Sequence, residues 1–258
     1  VVVAITPFNF PLNLVAHKIG PAIAGGNAII LKPATDTPLS GIKLAELLHE
    51  VGLPAEALQV LTGSGAMIGN ALCRDRRVRK ISFTGSFDVG EAICRTAGMK
   101  RVTMELGSNC PMVVMDDADM NLVAAAAATS GYVNAGQVCI STQRILVEQS
   151  MQEEFLQRLK EKVDAIRPGN PLSDSTTMGP MIREKDAERV CSWINEAISQ
   201  GARRITGAER DGSLVTPAIV ADVSPEMTIA REELFGPAVA VMTFSDIDQA
   251  IALANDTR

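Results

Sequence analysis

The stretch VVVAITPFNFPLNLVAHKIGPAIAGGNAIILKP, residues 1–33, begins and ends with short β-branched runs that predict strands. Between them, LNLVAHKIGPAIAGG has the apolar spacing of a helix. Strand–helix alternation continues to about residue 108. Alternation of this kind predicts an α/β fold with an open, mostly parallel sheet and helices on both faces.

Helix and strand signals also occur farther along the chain. In SGIKLAELLHEVG, residues 40–52, apolar residues at helical spacing end at Gly52, which fits a C-terminal cap. SMQEEFLQRLKEKVDAI, residues 150–166, predicts a long helix with Ser150 as its cap and Glu153 three residues on. Residues 167–180, rich in proline and glycine, predict a loop. We therefore expect a second α/β region after residue 108, although no flexible linker marks the boundary.

Composition excludes several classes of protein. The 258 residues are 47% hydrophobic and 21% charged, which is typical of a globular chain. Net charge is −6 and no lysine- or arginine-rich block occurs, so nucleic acid is not the expected partner. No apolar run reaches the length that spans a membrane, so a membrane partner is not expected either.

The cysteine pattern favours reduced thiols. The chain has five cysteines, no Cys-x-x-Cys pair and only two histidines, so we expect no metal site. An odd number without a signal peptide predicts a cytoplasmic protein. The cysteines are Cys73, Cys94, Cys110, Cys139 and Cys191.

Cys139 lies in an unusual setting for a cysteine. It occurs in NAGQVCISTQR, residues 134–144, a loop-like run of small and polar residues at the head of a strand. Most cysteines of soluble proteins are small hydrophobes in a core. The residues alone leave open whether Cys139 is a nucleophile, a metal ligand or a packing residue.

Three other residue types are suited to catalysis or ligand binding, and each also has a simpler reading. Glu105 ends a predicted strand in TMELG, where apolar neighbours would raise its pKa toward that of a base, but it could be a surface residue. Asn9 in ITPFNFP could donate to an oxyanion or only form a turn. Lys32 ends a predicted strand at the carboxyl side of the sheet, where parallel sheets bind ligands, so it could bind a ligand or only be a solvated lysine.

The glycine-rich runs suggest a phosphate site only weakly. FTGSFDVG leads from a strand into a helix, where main-chain N–H groups can receive a phosphate. The strict G-x-G-x-x-G fingerprint is absent, and GSGAMIG at 63–69 has one residue too many between its last glycines. Tight turns explain either run as well.

Six runs in order resemble the aldehyde dehydrogenase superfamily, of the NAD(P)-dependent, non-acylating type. They are ITPFNFPLNLVAHK, IILKPATDTPLS, FTGS, MELG, GQVCIS and EELFGP. The resemblance runs throughout the chain, and it implies a Rossmann-like cofactor domain that includes residues 1–108 and a catalytic domain that includes residues 109–258.

The resemblance implies a catalytic role for three residues. Cys139 matches the family's nucleophile, whose thiolate attacks the aldehyde carbon. The side-chain amide of Asn9 and the main-chain N–H of Cys139 would hold the oxyanion of the thiohemiacetal. Hydride transfer would leave a thioester, which water activated by Glu105 would hydrolyse to the carboxylic acid. This chemistry requires no metal.

The resemblance also implies a site for NAD or NADP. Lys32 would bind the adenosine ribose, Ser86 the pyrophosphate, and Glu233 the nicotinamide ribose. Thr35 replaces a glutamate of NAD-preferring members that would repel a 2′-phosphate, so NADP is an open candidate. The full predicted set is Phe8, Lys32, Thr35, Gly85, Ser86, Gly90, Glu233 and Phe235, with Phe8 replacing a common tryptophan and Phe235 packing beside Glu233.

The expected substrate is a short polar aldehyde or a semialdehyde. The predicted pocket wall contains Phe10, Asn13, His17 and Arg144. His17 occupies a position that is often aromatic in members acting on apolar aldehydes, but it could be only a hydrogen-bonded helix residue. Arg144 begins a strand, so an alternative is that it only braces the loop.

Two departures from the family leave alternatives open. Ser108 and Asn109 stand where many members have glycine and lysine, and the sequence offers no reason. Family members are roughly twice this length, with additional N- and C-terminal segments, so we expect this chain to be an internal portion. We expect the full-length parent to be a homo-oligomer. Alternative functions are a coenzyme A-acylating dehydrogenase, which Glu105 argues against, and a non-catalytic nucleotide-binding fragment.

Overall fold

The chain separates into two compact units, which we describe one at a time. The computed structural model describes residues 1–257. The first unit is Val1–Gly107 and the second begins at Ser108. Both are built from strands and helices that alternate along the chain, so the α/β class expected from the sequence is confirmed.

The first unit contains one five-stranded sheet. All neighbouring strands are parallel, and their order is β3-β2-β1-β4-β5. The chain therefore moves outward from β1 in one direction, then returns and moves outward in the other. The strands are β1 (Val2–Ile5), β2 (Ile29–Lys32), β3 (Leu58–Val60), β4 (Lys80–Thr84) and β5 (Arg101–Glu105).

Helices cover both faces of this sheet. Alternate residues of β1 enter two separate cores, with Ala4 packed in one and Val3 in the other. Val15 of α1 shares the core of Ala4, and Ile93 of α4 shares the core of Val3. The helices are α1 (Asn13–Ala24), α2 (Leu39–Glu50), α3 (Asn70–Arg74) and α4 (Phe87–Ala97). Gly52 follows α2 with φ +101°, as the capping prediction requires.

The second unit has a five-stranded sheet of order β6-β7-β12-β11-β8 and a small hairpin of β9 and β10. Only β8 is antiparallel to its neighbour in the five-stranded sheet. The strands are β6 (Pro111–Val114), β7 (Arg144–Glu148), β8 (Arg203–Thr206), β9 (Arg210–Asp211), β10 (Leu214–Val215), β11 (Ala218–Ala221) and β12 (Ala238–Phe244). The sheet is thus mostly parallel, as predicted.

Five helices pack with this sheet around one large hydrophobic core. They are α5 (Met120–Tyr132), α6 (Gln152–Asp164), α7 (Glu184–Ser199), α8 (Thr228–Arg231) and α9 (Ile247–Asn255). The predicted cap of α6 is wrong. Ser150 lies in a 3₁₀ turn before the helix, and its hydroxyl donates to Glu148 Oε2 at 2.7 Å. The Ser150 hydroxyl therefore bonds the Glu148 carboxylate instead of capping the helix.

Candidate active site

Four predicted site segments of the first unit lie at the same edge of its sheet. Asn9 follows β1, Lys32 ends β2, Gly85 and Ser86 follow β4, and Glu105 ends β5. Because all five strands are parallel, their carboxyl ends share one edge. The order reverses between β1 and β4, and ligands of open α/β sheets bind at such a reversal.

A buried cation lies at the reversal point. Lys18 on α1 donates from Nζ to Ser82 Oγ of β4 at 3.0 Å. The pKa of Lys18 is lowered to about 8, chiefly by burial; the carboxylate of Glu105 opposes this shift and the charge of Lys80 adds to it. The sequence analysis did not single out Lys18. The sequence signal that could have identified this lysine is its place between Val15 and Ile19 on the apolar face of α1.

Buried polar atoms at this edge suit a polar ligand. Thr6, one residue beyond β1, is 4% exposed, and its hydroxyl has no hydrogen-bond partner among residues 1–257. Lys32 is equally buried, and desolvation lowers its pKa. Its Nζ donates to the carbonyl of Pro33 at 3.0 Å, which uses one of three N–H groups. Thr35 Oγ1 donates to the Gly63 carbonyl at 3.3 Å.

The start of α4 distinguishes the two glycines predicted to contact a phosphate. Ser86 is the N-cap residue, and its hydroxyl makes no capping hydrogen bond. A Cβ on Gly85 would lie 2.5 Å from the Phe83 ring, so the turn needs glycine. Gly90 donates its N–H to the Ser86 carbonyl within the helix, and a Cβ there would lie 2.5 Å from Leu106. The N–H of Gly90 is thus used within the helix, and its place in the cofactor site stays a prediction.

The asparagine motif lies in a bend between β1 and α1. Asn9 Oδ1 accepts the N–H of Phe10 at 3.2 Å, which fixes the orientation of the side-chain amide. The carbonyl of Phe8 accepts a hydrogen bond from Thr37 Oγ1 at 3.5 Å. Phe10, Asn13 and His17 are exposed on and beside α1, so their side chains are accessible on the surface of the first unit.

Glu105 is exposed at the end of edge strand β5. The expectation that apolar neighbours bury its carboxylate is therefore wrong. The cause is the strand order, because an edge strand has a neighbour on one side only. The main chain of Glu105 is nevertheless fixed, since its carbonyl accepts the N–H of Gly85 at 3.1 Å.

In the second unit, Cys139 follows a run of strained backbone. Asn134, Ala135 and Gly136 have φ angles of +52°, +55° and +67°. A Cβ on Gly136 would lie 2.0 Å from the carbonyl oxygen of Gly236, so the loop and the 233–236 segment are in direct contact. Non-glycine residues adopt this conformation only when their surroundings enforce it, and such strain is common at active sites.

Hydrogen bonds hold the cysteine loop in place. Ser141 Oγ donates to the carbonyls of Ser130 and Gly131, at 3.0 and 3.2 Å. Gln137 Oε1 accepts the N–H of Ile182 at 2.9 Å. Within residues 1–257, the N–H of Cys139 has no hydrogen-bond acceptor. A half-buried thiol and an available donor therefore lie together on a loop that is held by hydrogen bonds.

Cys110 is a second thiol beside this loop. Its Sγ contacts the carbonyl of Cys139 at 3.6 Å and Ser108 Oγ at 2.9 Å.

Burial raises the pKa of Cys73 and Cys191, which disfavours their thiolates. Groups of three or more His, Cys, Asp or Glu residues that could hold a metal do not occur in the part of the chain that is described.

Glu233 lies in the segment that contacts the cysteine loop. Its Oε1 accepts the N–H of Ser108 at 3.3 Å. Burial raises the pKa of Glu233, while the Ser108 hydrogen bond and the charge of Arg189 oppose the shift. Phe235 has φ +47°, so this segment is also strained.

Comparison with known proteins identifies the family. The sequence profile of the Aldehyde dehydrogenase family matches residues 1–258. The chain belongs to the aldehyde dehydrogenase family. The resemblance of the six sequence runs is thereby confirmed.

Three aldehyde dehydrogenases illustrate the similarity. The 3-sulfolactaldehyde dehydrogenase of Priestia megaterium is 48% identical over all of this chain and 54% of its own length. The NADP-dependent glyceraldehyde-3-phosphate dehydrogenase of Bacillus halodurans has a TM-score of 0.97 and 39% identity, over 99% of this chain and 54% of its own. An NAD-dependent aldehyde dehydrogenase of Sinorhizobium meliloti has a TM-score of 0.96 and 40% identity, over 99% and 52%. The chain thus spans about half the length of its curated relatives.

Asn109, which departs from the aldehyde dehydrogenase motif, has a clear structural role. It is 4% exposed, and its Nδ2 donates to the carbonyls of Ala230 and Arg231 at 2.8 and 3.3 Å. Its Oδ1 accepts the hydroxyl of Thr257 at 2.8 Å. A short amide thus joins segments that are distant in sequence, and it does so as both donor and acceptor.

Arg144 does not line a substrate pocket. It is 2% exposed, and burial lowers its pKa. Its guanidinium donates to the carbonyls of Asn109, Leu253 and Ala254 at 3.1, 2.8 and 2.9 Å. Two of these main-chain acceptors lie at the end of α9 and the third just before β6. Because they engage the whole guanidinium, the structure supports the bracing role and corrects the pocket assignment.

No helix of residues 1–257 is long and apolar enough to cross a membrane.

Proposed function

We propose that the complete protein oxidises a short polar aldehyde to a carboxylic acid with NAD or NADP. The observation that carries this proposal is the half-buried thiol of Cys139 on a strained, hydrogen-bonded loop, in a chain of the aldehyde dehydrogenase family. Residues 1–107 would bind most of the cofactor, and the unit that begins at Ser108 would supply the nucleophile.

The residues at the carboxyl edge of the first sheet fit a dinucleotide. Two N–H groups of buried Lys32 remain for ribose hydroxyls, the orphaned hydroxyl of Thr6 needs a polar partner, and the first turn of α4 can receive the pyrophosphate after Ser86. Thr35 carries no charge that would repel a 2′-phosphate. Glu233 would hold the nicotinamide ribose. When bound, the nicotinamide supplies the acceptor for the hydride.

Cys139 would act as the nucleophile. Its thiolate attacks the aldehyde carbon, and the C=O π electrons move to oxygen to give a thiohemiacetal oxyanion. The amide nitrogen of Asn9 and the N–H of Cys139 donate to that oxyanion. Support for these roles comes from the orientation of the Asn9 amide and from the available N–H of Cys139.

Glu105 would release the product. Its carboxylate takes a proton from water, the hydroxide oxygen bonds to the thioester carbon, and the C–S bond breaks to return the Cys139 thiolate. The exposed position of Glu105 supports this role, because an accessible carboxylate can reach water. Hydrolysis of this kind favours the non-acylating enzyme over transfer to coenzyme A.

The relatives support a short polar substrate. The names of two of them refer to 3-sulfolactaldehyde and glyceraldehyde 3-phosphate, which are three-carbon hydroxyaldehydes with an anionic group. The exposed Asn13 and His17 offer polar atoms on α1. Since Arg144 is occupied by carbonyl groups, it does not serve as the partner of the anionic group.

A panel of aldehydes tests this proposal on the complete protein. We expect the highest kcat/KM for short polar aldehydes, and His17→Ala should change the ranking. His49→Ala is the matched control, because His49 lies at the C-terminal end of α2, where its ring bonds the carbonyl of Leu58 in β3. A preference for long-chain or aromatic aldehydes, or an unchanged ranking in His17→Ala, would contradict the substrate assignment. An absolute requirement for coenzyme A would favour the acylating alternative.

We also propose that the complete protein is a cytoplasmic homo-oligomer. The five cysteines form no disulfide within residues 1–257, which supports a reducing compartment. The oligomer is proposed from the family resemblance. Light scattering of the complete protein in solution gives its mass, and a monomeric mass would contradict the proposal.

A further inference from the structure

Gln143 joins three segments of the candidate active site. The residue is 2% exposed and both ends of its side-chain amide are used. Its Oε1 accepts the N–H of Leu234 at 2.6 Å, and its Nε2 donates to the carbonyl of Ser108 at 3.2 Å. Its main chain bonds the Cys110 carbonyl at 3.2 Å and the Ala240 N–H at 2.8 Å.

Both residues that the Gln143 side chain bonds are linked directly to Glu233. Leu234 is the next residue in the chain, so one hydrogen bond fixes the peptide that bears Glu233. Ser108 donates its N–H to Glu233 Oε1 at 3.3 Å. The hydrogen bond from Gln143 Nε2 to the Ser108 carbonyl therefore fixes the residue that supplies this N–H donor. One amide thus fixes the main chain next to Glu233 and the residue whose N–H bonds its carboxylate.

The same side chain is close in sequence to the nucleophile. Gln143 lies four residues after Cys139, and the cysteine loop touches the 233–236 segment where Gly136 meets Gly236. Phe235 in that segment has a left-handed backbone, which requires support from its surroundings. A shift of the Glu233 peptide would therefore also reach the cysteine loop.

We infer that Gln143 is a positioning residue, which orients Glu233 to bind the cofactor beside Cys139. This inference rests on the proposed function, which assigns Glu233 to the nicotinamide ribose. An amide suits this place because its two ends accept from one N–H and donate to one carbonyl at the same time, without charge. Methionine matches its shape and makes neither bond, whereas glutamate keeps the acceptor and loses the donor.

The test is the affinity of the complete protein for NAD and NADP, measured by titration calorimetry. We expect Gln143→Met to raise the Kd about tenfold or more, since a buried donor and a buried acceptor lose their partners. Gln143→Glu should raise it by about threefold or more, because one bond is lost. Phe155→Leu, a core change on α6, is the control for lost stability and should leave the Kd unchanged.

The readout separates positioning from a structural role. A purely structural role would lower the binding stoichiometry and the Tm, while the folded molecules kept the wild-type Kd. A Kd within twofold of wild type in either Gln143 variant would overturn the inference. If Gln143→Met does not fold, Gln143→Glu alone decides. Failure of the wild-type protein to bind either cofactor would instead contradict the proposed function.

Discussion

Replacement of Gly136 by alanine should destabilise the protein more than replacement of a glycine that has open space around it. Alanine in the left-handed region costs about 1–2 kcal/mol relative to glycine. Its Cβ would lie 2.0 Å from the Gly236 carbonyl oxygen, whereas real Cβ atoms essentially never come within 3.0 Å. The two strained segments must move apart by at least about 1 Å, and forcing extra atoms into a packed site costs about 1–3 kcal/mol.

The expected total loss for Gly136→Ala is about 2–5 kcal/mol in the free energy of unfolding. Urea unfolding of the complete protein measures it. Gly212→Ala is the matched control, because Gly212 has φ +57° in the β9–β10 hairpin and nothing within 4 Å of the added Cβ. The control should lose only the backbone cost, about 1–2 kcal/mol.

Activity gives a second readout of the same change. Because Gly136 lies three residues before Cys139, Gly136→Ala should also lower kcat in the molecules that fold, and Gly212→Ala should not. Equal losses of stability in the two variants, with kcat preserved in both, would refute the claim that contact between the cysteine loop and the 233–236 segment fixes the nucleophile.

Three further predictions concern charged side chains. Glu105→Gln should give a burst of reduced cofactor followed by slow turnover, because thioester hydrolysis becomes limiting; stopped-flow absorbance measures it, and equal loss of both phases would show another role. Arg144→Met should cost at least about 3 kcal/mol of stability, since three carbonyls lose a charged donor, and should leave the aldehyde ranking unchanged; a changed ranking at full stability would contradict the bracing role. Burial lowers the pKa of Lys18 from 10.5 to about 8, so the unfolded chain binds more protons between these values. The stability of wild type relative to Lys18→Met should therefore rise as pH increases from 8 to 10.5 in denaturant unfolding, and a fall would contradict the assigned shift.

Local patterns predicted the fold because each strand and helix carries its own signal. The β-branched run before Asn9 and the apolar stripe ending at Gly52 both became the expected elements. Alternation of the two types then required parallel strands. Ser150 shows the limit of local patterns, since a competing carboxylate on Glu148 accepts its hydroxyl.

The site was less predictable because its geometry depends on contacts that are distant in sequence. The exposure of Glu105 follows from the edge position of β5, which no local pattern records. The Arg144 guanidinium donates hydrogen bonds to carbonyls of residues more than 100 positions later in the sequence, and Asn109 bonds residues at a similar sequence separation. Lys18 did carry a local signal, because a lysine on the apolar face of a helix must find a polar partner.

The central claim is that Cys139 carries the substrate as a thioester. The most direct measurement mixes the complete Glu105→Gln protein with aldehyde and cofactor, quenches with acid, and locates the acyl group by peptide mass spectrometry. We predict the mass of the acyl group on the peptide that contains Cys139, only when both aldehyde and oxidised cofactor are present. Acylation of Cys110 instead, or turnover in a Cys139→Ala protein at a comparable rate, would contradict the account.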